Sequence, residues 1–96
     1  MAGSATINVI PSMAGKFIEA ENGTTITVNV TETSLSAAGD RVDFIQDSVG
    51  QLNFVNDGTT VINSKNSHRK TAGIWSAVSL VKTTTGQYRL IGDLVA

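Results

Sequence analysis

His68 is the sole histidine of a 96-residue chain rich in serine and threonine, so a Ser/His/acid triad is the first chemistry to weigh. A triad needs an imidazole oriented by a buried carboxylate and set against its nucleophile. His68 stands instead between Ser67 and Arg69, inside the most polar stretch of the chain, Ser64 to Thr71. A solvated ring is the ordinary state there. One histidine and no cysteine give no zinc spacing, and no D-x-D-x-D-G loop is present for calcium. Glycoside hydrolysis needs two carboxyls roughly 5–9.5 Å apart across a sugar. Asp40, Asp43 and Asp47 read as solvated residues flanking turns. None of the nine glycines forms G-x-x-x-x-G-K-[ST]. The chain is therefore read as noncatalytic, with no cofactor and no metal.

The local concentration of charge is the basic group Lys65, His68, Arg69 and Lys70. It has two readings: a solvated loop, or a patch that docks onto acidic protein surface, where Arg69 can grip a carboxylate with two hydrogen bonds. Nucleic acid is disfavoured as a partner. Stacking bases needs spare aromatic rings, and Phe17, Phe44 and Phe54 are all placed on core-facing positions.

The elements that must position these residues are strands. In the last third, Gly73 to Leu94, Ile74, Ser76, Val78 and Leu80 alternate with Trp75, Ala77, Ser79 and Val81. Polar Thr83 to Gly86 then interrupts, and Tyr88, Leu90 and Ile91 resume the pattern. This predicts a β-hairpin with Gly86 at positive φ, in which the single Trp75 and the single Tyr88 meet as a buried cross-strand pair. Further upstream, Thr6 to Ile10 is a strand stopped by Pro11, first in the chain and at a sheet edge. Lys16 to Ala20 and Thr24 to Val30 are predicted to pair through an Asn22-Gly23 hairpin turn, with Ile26, Val28 and Val30 on the dry face. Arg41 to Gln46 and Gln51 to Val55 are predicted to form a second hairpin. Between them Thr31 to Asp40 is a connector that could hold one helical turn ended by Gly39. The count is about seven or eight short strands, and no helix is long enough for a crossover. The fold class is all-β, a mainly antiparallel β-sandwich or barrel-like domain. It occupies residues 1–96 as one unit, with 1–11 an N-terminal arm or edge strand.

Composition narrows the partners. Only 16% of residues are charged and the net charge is −1, against about a quarter charged in an ordinary soluble domain. Such a surface is poor at capturing nucleic acid or acidic lipid by charge and suits contact with protein or neutral sugars. No apolar run approaches the ~20 residues of a membrane span, and the start MAGSATINVIP lacks the pattern of a secretory signal. A small core with no disulfide leaves oligomerisation as the available reinforcement, and a homotrimer is expected.

Two segments carry a resemblance. FIQDSVGQLNFVNDGTTVINS, Phe44 to Ser64, places Gly50 and alternating apolar residues after Gln46-Asp47. GIWSAVSLVKTTTGQYRLIGDLVA, Gly73 to Ala96, leads from Trp75 into Val78-Ser79-Leu80-Val81-Lys82 and closes on Tyr88 to Leu94. Together they resemble small β domains of tailed-bacteriophage virion proteins: head decoration or cement proteins, head fibres and tail-fibre knobs. The resemblance implies a noncatalytic structural protein on the virion surface, decorating or stabilising the capsid and contacting the major capsid protein or other virion subunits. The alternative it leaves open is a receptor- or carbohydrate-binding tip of a tail fibre. Candidate partner contacts are Thr6, Ile7, Asn8, Val9 and Ile10, as an arm for a partner's sheet edge, and Lys65, Arg69 and Lys70.

Overall fold

Period-two alternation of β-branched and apolar residues builds ten short strands in the computed structural model, which describes residues 5–96. They are β1 (Thr6–Asn8), β2 (Phe17–Ala20), β3 (Ile26–Val30), β4 (Arg41–Gln46), β5 (Leu52–Asn56), β6 (Val61–Ser64), β7 (Lys70–Thr71), β8 (Ala77–Thr84), β9 (Gln87–Gly92) and β10 (Leu94–Val95). Two single turns of 3-10 helix, Pro11–Met13 and Lys65–Ser67, are the helical elements among the described residues. No helix there is long and apolar enough to cross a membrane.

The strands form two five-stranded sheets packed as a sandwich. Sheet I has the order β1-β3-β5-β7-β10 and sheet II the order β2-β4-β8-β9-β6. The all-β, sandwich-like expectation is borne out, but the pairing is evenly mixed. Among the described residues, β1/β3, β2/β4, β3/β5 and β6/β9 are parallel, while β4/β8, β8/β9, β5/β7 and β7/β10 are antiparallel.

The reason is that the chain changes sheet at almost every connection. The Asn22-Gly23 turn, expected to close a hairpin, carries the chain from β2 in sheet II to β3 in sheet I. The Asp47–Gly50 turn does the same between β4 and β5. These crossings stack one on the other. The Gly50 N–H donates to the Asn22 carbonyl (2.9 Å), and a Cβ at position 50 would lie 1.9 Å from the Thr24 carbonyl oxygen. Only glycine allows that approach. Thr6, Ile7 and Asn8 consequently lie in register with Thr27, Val28 and Asn29, and these with Asn53, Phe54 and Val55.

The predicted β8/β9 hairpin is present, with Gly86 at φ +70° in its turn. It begins at Ala77, however, so Trp75 lies outside the ladder and opposite no residue of β9. Tyr88 pairs instead with Lys82.

Apolar residues facing inward from both sheets make one core: Ile26, Val28 and Val30 from β3, Val42 and Phe44 from β4, Leu52 and Phe54 from β5, Val78 and Leu80 from β8. Phe44 and Phe54 meet edge to face across the sandwich, with ring centroids 5.3 Å apart. The connector from Thr31 to Asp40 has no helical turn. It is tied down by two buried side chains on the hairpin. The Tyr88 hydroxyl donates to the Thr31 carbonyl (2.9 Å) and accepts the Leu35 N–H (3.1 Å), while Lys82 Nζ donates to the carbonyls of Glu32 (3.0 Å) and Leu35 (2.8 Å). At the opposite end Thr71 Oγ1 donates to Gln46 Oε1 (2.5 Å) and accepts the Leu52 N–H (2.9 Å), joining the sheets through satisfied polar groups.

Gly50→Ala is expected to cost about 3 kcal/mol or more in a denaturant melt, since backbone and not a flexible side chain stands in the way. Tyr88→Phe is expected to cost about 1–3 kcal/mol by orphaning the Leu35 N–H. Burial raises the Tyr88 pKa above its ordinary value of 10.0. Its stabilising contribution is therefore complete below pH ~10, where both folded and unfolded forms stay protonated, and is lost as pH climbs from there toward the raised folded value. Because Tyr88 is the only tyrosine, its ultraviolet ionisation curve, recorded alongside melts of both variants, reads this directly; ionisation at the free-tyrosine pH would contradict the buried hydroxyl.

Candidate interaction surface

The outer faces of the two sheets differ in chemistry. Sheet I turns Thr6, Asn8, Thr27, Asn29, Asn53 and Lys70 outward, and Asn29 Nδ2 donates to Asn8 Oδ1 (2.9 Å) across β1 and β3. Sheet II turns apolar Phe17, Ile45, Ala77 and Ile91 outward among polar Glu19, Arg41, Asp43, Ser79 and Arg89. One register row runs Phe17–Asp43–Ser79–Ile91, and the next runs Glu19–Ile45–Ala77. Phe17 and Ile91 are 58% and 59% exposed and flank the row. Between them lies a shallow trough lined by Ala77, Ser79 and Gly92. At its floor Ser79 Oγ donates to Asp43 Oδ1 (2.5 Å), and the other Asp43 oxygen takes Arg41 Nη2 at 3.3 Å.

Core-facing placement of Phe17 is thus corrected. In β2 it is Ile18 and Ala20 that turn inward, and Ala20 is fully buried, so period two sends Phe17 and Glu19 to the outside. Ile91 was legible by the same rule, being out of phase with buried Tyr88 and Leu90. Trp75 is the larger correction. It is 66% exposed and sits in the turn before β8 with φ +72°, where a bulky residue is strained by about 1–2 kcal/mol. The turn is held by the Trp75 N–H on the Gln46 carbonyl (2.7 Å), and by Ser76 Oγ, which accepts the Gly73 N–H (3.0 Å) and donates to Asp93 Oδ2 (2.9 Å). Exposed Ile74 precedes it, and exposed Val49 lies in the turn after β4, at the same end of the sandwich.

Of the residues expected from the sequence to contact partners, Thr6, Asn8, Ile10 and Lys65 are exposed, and the others are placed otherwise. Ile7 and Val9 belong to the core and are each 4% exposed. Within the segment from Thr6 to Ile10, Thr6–Asn8 is an edge strand of its own sheet, and freeing the segment as an arm would uncover both side chains. Exposed Ile10 lies beyond the strand. Arg69 is turned onto its own fold: Nη1 donates to Asn56 Oδ1 (2.8 Å) and Nη2 to the Ile62 carbonyl (3.0 Å). Lys70 is built into β7 opposite Asn53 and Val95. Of the three only Lys65 is exposed, Arg69 and Lys70 being half-buried, so the three cations do not act as one patch. His68 lines a separate depression with Lys65, Asn66 and the Leu90–Leu94 segment. Among the described residues no group of three or more His, Cys, Asp or Glu side chains is placed to hold a metal ion.

Comparison with known proteins returns no matching family model, no matching curated relative and no matching solved structure.

Trp75→Gly is expected to leave stability unchanged or raise it by up to about 1 kcal/mol, because an exposed ring is removed from a left-handed residue. The single tryptophan fluorescence should be quenched by iodide nearly as freely as that of a short peptide. A protected fluorophore together with a loss of several kcal/mol would return Trp75 to the core.

Proposed function

We propose that this chain is a noncatalytic structural protein of a tailed-bacteriophage virion, acting as a decoration or cement subunit that binds shell proteins through sheet II. The observation that carries the reading is the pair of exposed apolar side chains Phe17 and Ile91 on the outer face of that sheet, with exposed Ala77 and half-buried Ile45 beside them, on a domain whose other outer face is mainly threonine and asparagine. Exposed apolar side chains gathered on one face of so small a domain favour protein contact. The motifs Phe44 to Ser64 and Gly73 to Ala96 supply the virion context by resemblance. Stabilisation would come from area, with an oligomer spanning neighbouring shell subunits, the major capsid protein being the leading candidate. A specific observation also favours the tail-fibre reading: Trp75 is a spare, exposed aromatic on a hydrogen-bonded turn, of the sort that stacks on a sugar ring or fills a receptor pocket.

Heads purified from particles lacking the protein, then titrated with it, provide the test. The expected result is saturable binding with increased resistance of the heads to heat. Phe17→Lys together with Ile91→Lys should reduce that binding at least tenfold, while Trp75→Gly leaves it intact. Absence of binding to heads, with Trp75-dependent capture by host cells or their surface polysaccharide, would replace decoration by the fibre-tip reading.

A further inference from the structure

Of the seven asparagines, Asn22 is the one followed by glycine, and its side chain is folded back over the following peptide. Thr24 donates to Asn22 Oδ1 twice, from its backbone N–H (3.0 Å) and from its hydroxyl (3.0 Å). The ring closed by the first of these bonds contains both Asn22 Cγ and Gly23 N. It therefore holds an amide carbon beside a backbone nitrogen whose own residue has no side chain to shield it. Gly23 and Thr24 are exposed and Asn22 is half-buried, so water and hydroxide reach the turn. We infer that Asn22-Gly23 is a self-modifying site, at which Gly23 N closes on Asn22 Cγ while Thr24 stabilises the charge that develops on Oδ1.

Water, with hydroxide as base, is the only co-reactant. Gly23 N gives its proton to hydroxide and bonds to Asn22 Cγ, and the oxygen of the tetrahedral centre takes the charge against its two Thr24 donors. The Cγ–Nδ2 bond then breaks, Nδ2 takes up a proton from water and departs as ammonia, and a succinimide ring is left. One water opens it. Attack at Cγ restores the original chain with aspartate at position 22. Attack at the main-chain carbonyl carbon sends the chain through Cβ and Cγ instead, an isoaspartyl link with one extra methylene. Asp57-Gly58 has the same pair of bonds, the Thr59 N–H and hydroxyl on Asp57 Oδ1 (3.2 Å each), but an ionised carboxylate carries no amine to expel. It serves as a control within the chain.

The fold does not call for glycine at this position. A Cβ on residue 23 would meet no atom within 4 Å, and Gly23 is not among the glycines at positive φ. Gly50, packed against the same turn, is the contrary case. What the fold does need is the Asn22 main-chain carbonyl, which accepts the Gly50 N–H (2.9 Å) where the two crossings stack. Aspartate at position 22 keeps that carbonyl and gives Thr24 a stronger acceptor. An isoaspartyl link turns the carbonyl into a pendant carboxylate and lengthens the crossing. The two products thus divide into a sandwich that keeps its stacking and one that loses it.

The virion reading plays no part in this chemistry, and the test uses the intact chain. Aged in warm, mildly alkaline buffer made with heavy-oxygen water, the folded protein is expected to release ammonia and gain one negative charge. Peptide mass spectra should find heavy oxygen at position 22 and none at Asp57. Gly23→Ala should melt with the wild type and convert at least about tenfold more slowly. Thr24→Val, which removes one of the two donors, should convert about threefold more slowly, the worth of one exposed hydrogen bond, and Thr24→Ser should restore the rate. In urea, where the turn is absent, the wild type and Thr24→Val should convert alike. Fractionated by charge, the aged protein should yield an aspartyl form that melts like Asn22→Asp and an isoaspartyl form that melts below it. Asn22 remaining an amide in the folded chain while it converts in urea, or Thr24→Val and Gly23→Ala converting at the wild-type rate, would overturn the assignment.

Discussion

The close approach of two backbone crossings at Gly50 is the constraint on which the rest of the sandwich depends. Because the Asn22–Thr24 crossing rests directly on residue 50, the passage from β2 to β3 lies over the passage from β4 to β5. Stacking the crossings brings β1, β3 and β5 into parallel register on one side and β2 and β4 on the other. A side chain at position 50 would push the crossings apart and break both ladders together. The apolar residues of β3, β4 and β5 face one another only because the register is kept, and their burial supplies the main favourable term in a domain of this size.

At the opposite end of the sandwich the problem is polar. The ten-residue connector between β3 and β4 passes over the core with backbone groups that cannot all reach water. Buried groups of that kind are costly unless paired. Tyr88 and Lys82, neighbours on opposite strands of the hairpin, pair them: a phenol bridges Thr31 and Leu35, and an ammonium bridges Glu32 and Leu35. Lys82 is 7% exposed, and inserting a cation among carbonyl dipoles keeps it hydrogen-bonded without a carboxylate. The hairpin thus acts as a clamp for the connector as well as the middle of sheet II.

With the core closed and the ends satisfied, the surfaces are left to express function. Sheet I turns mainly threonine and asparagine outward, with Asn29 bonded to Asn8, and these groups interact comfortably with water. Sheet II does not, and the contrast between the two faces of one small domain is what directs attention to Phe17, Ile91 and the trough between them. The strained turn at Trp75 adds a second exposed apolar feature at one end of that sheet. Cationic residues prove less available than their clustering implies, since Arg69 spends two guanidinium nitrogens on Asn56 and Ile62.

Alternation along each strand is a local property, and it was readable without any fold. Ile26, Val28 and Val30, Val42 and Phe44, Leu52 and Phe54 turn inward as their spacing requires, the β8/β9 hairpin forms, and Gly86 takes the positive φ its turn demands. Lys82 shares the parity of Val78 and Leu80, so even its burial was written in the spacing, against the expectation its charge creates. Strand partnership was not readable. Asn22-Gly23 and Asp47–Gly50 satisfy the chemistry of a hairpin and of a crossing equally well, because both need a short polar turn. Which one forms depends on whether the next strand buries more apolar surface beside its predecessor or across the sandwich from it. Trp75 failed for a different reason: the size of its ring says inward, whereas its parity with Ala77, Ser79 and Val81 says outward, and the ladder starts two residues later, where Gly92 admits the chain and Asp93 holds Ser76. The exposed face of sheet II likewise exists only once β2, β4, β8 and β9 lie side by side, since Phe17 and Ile91 are 74 residues apart in sequence and share a register row solely through the strands between them.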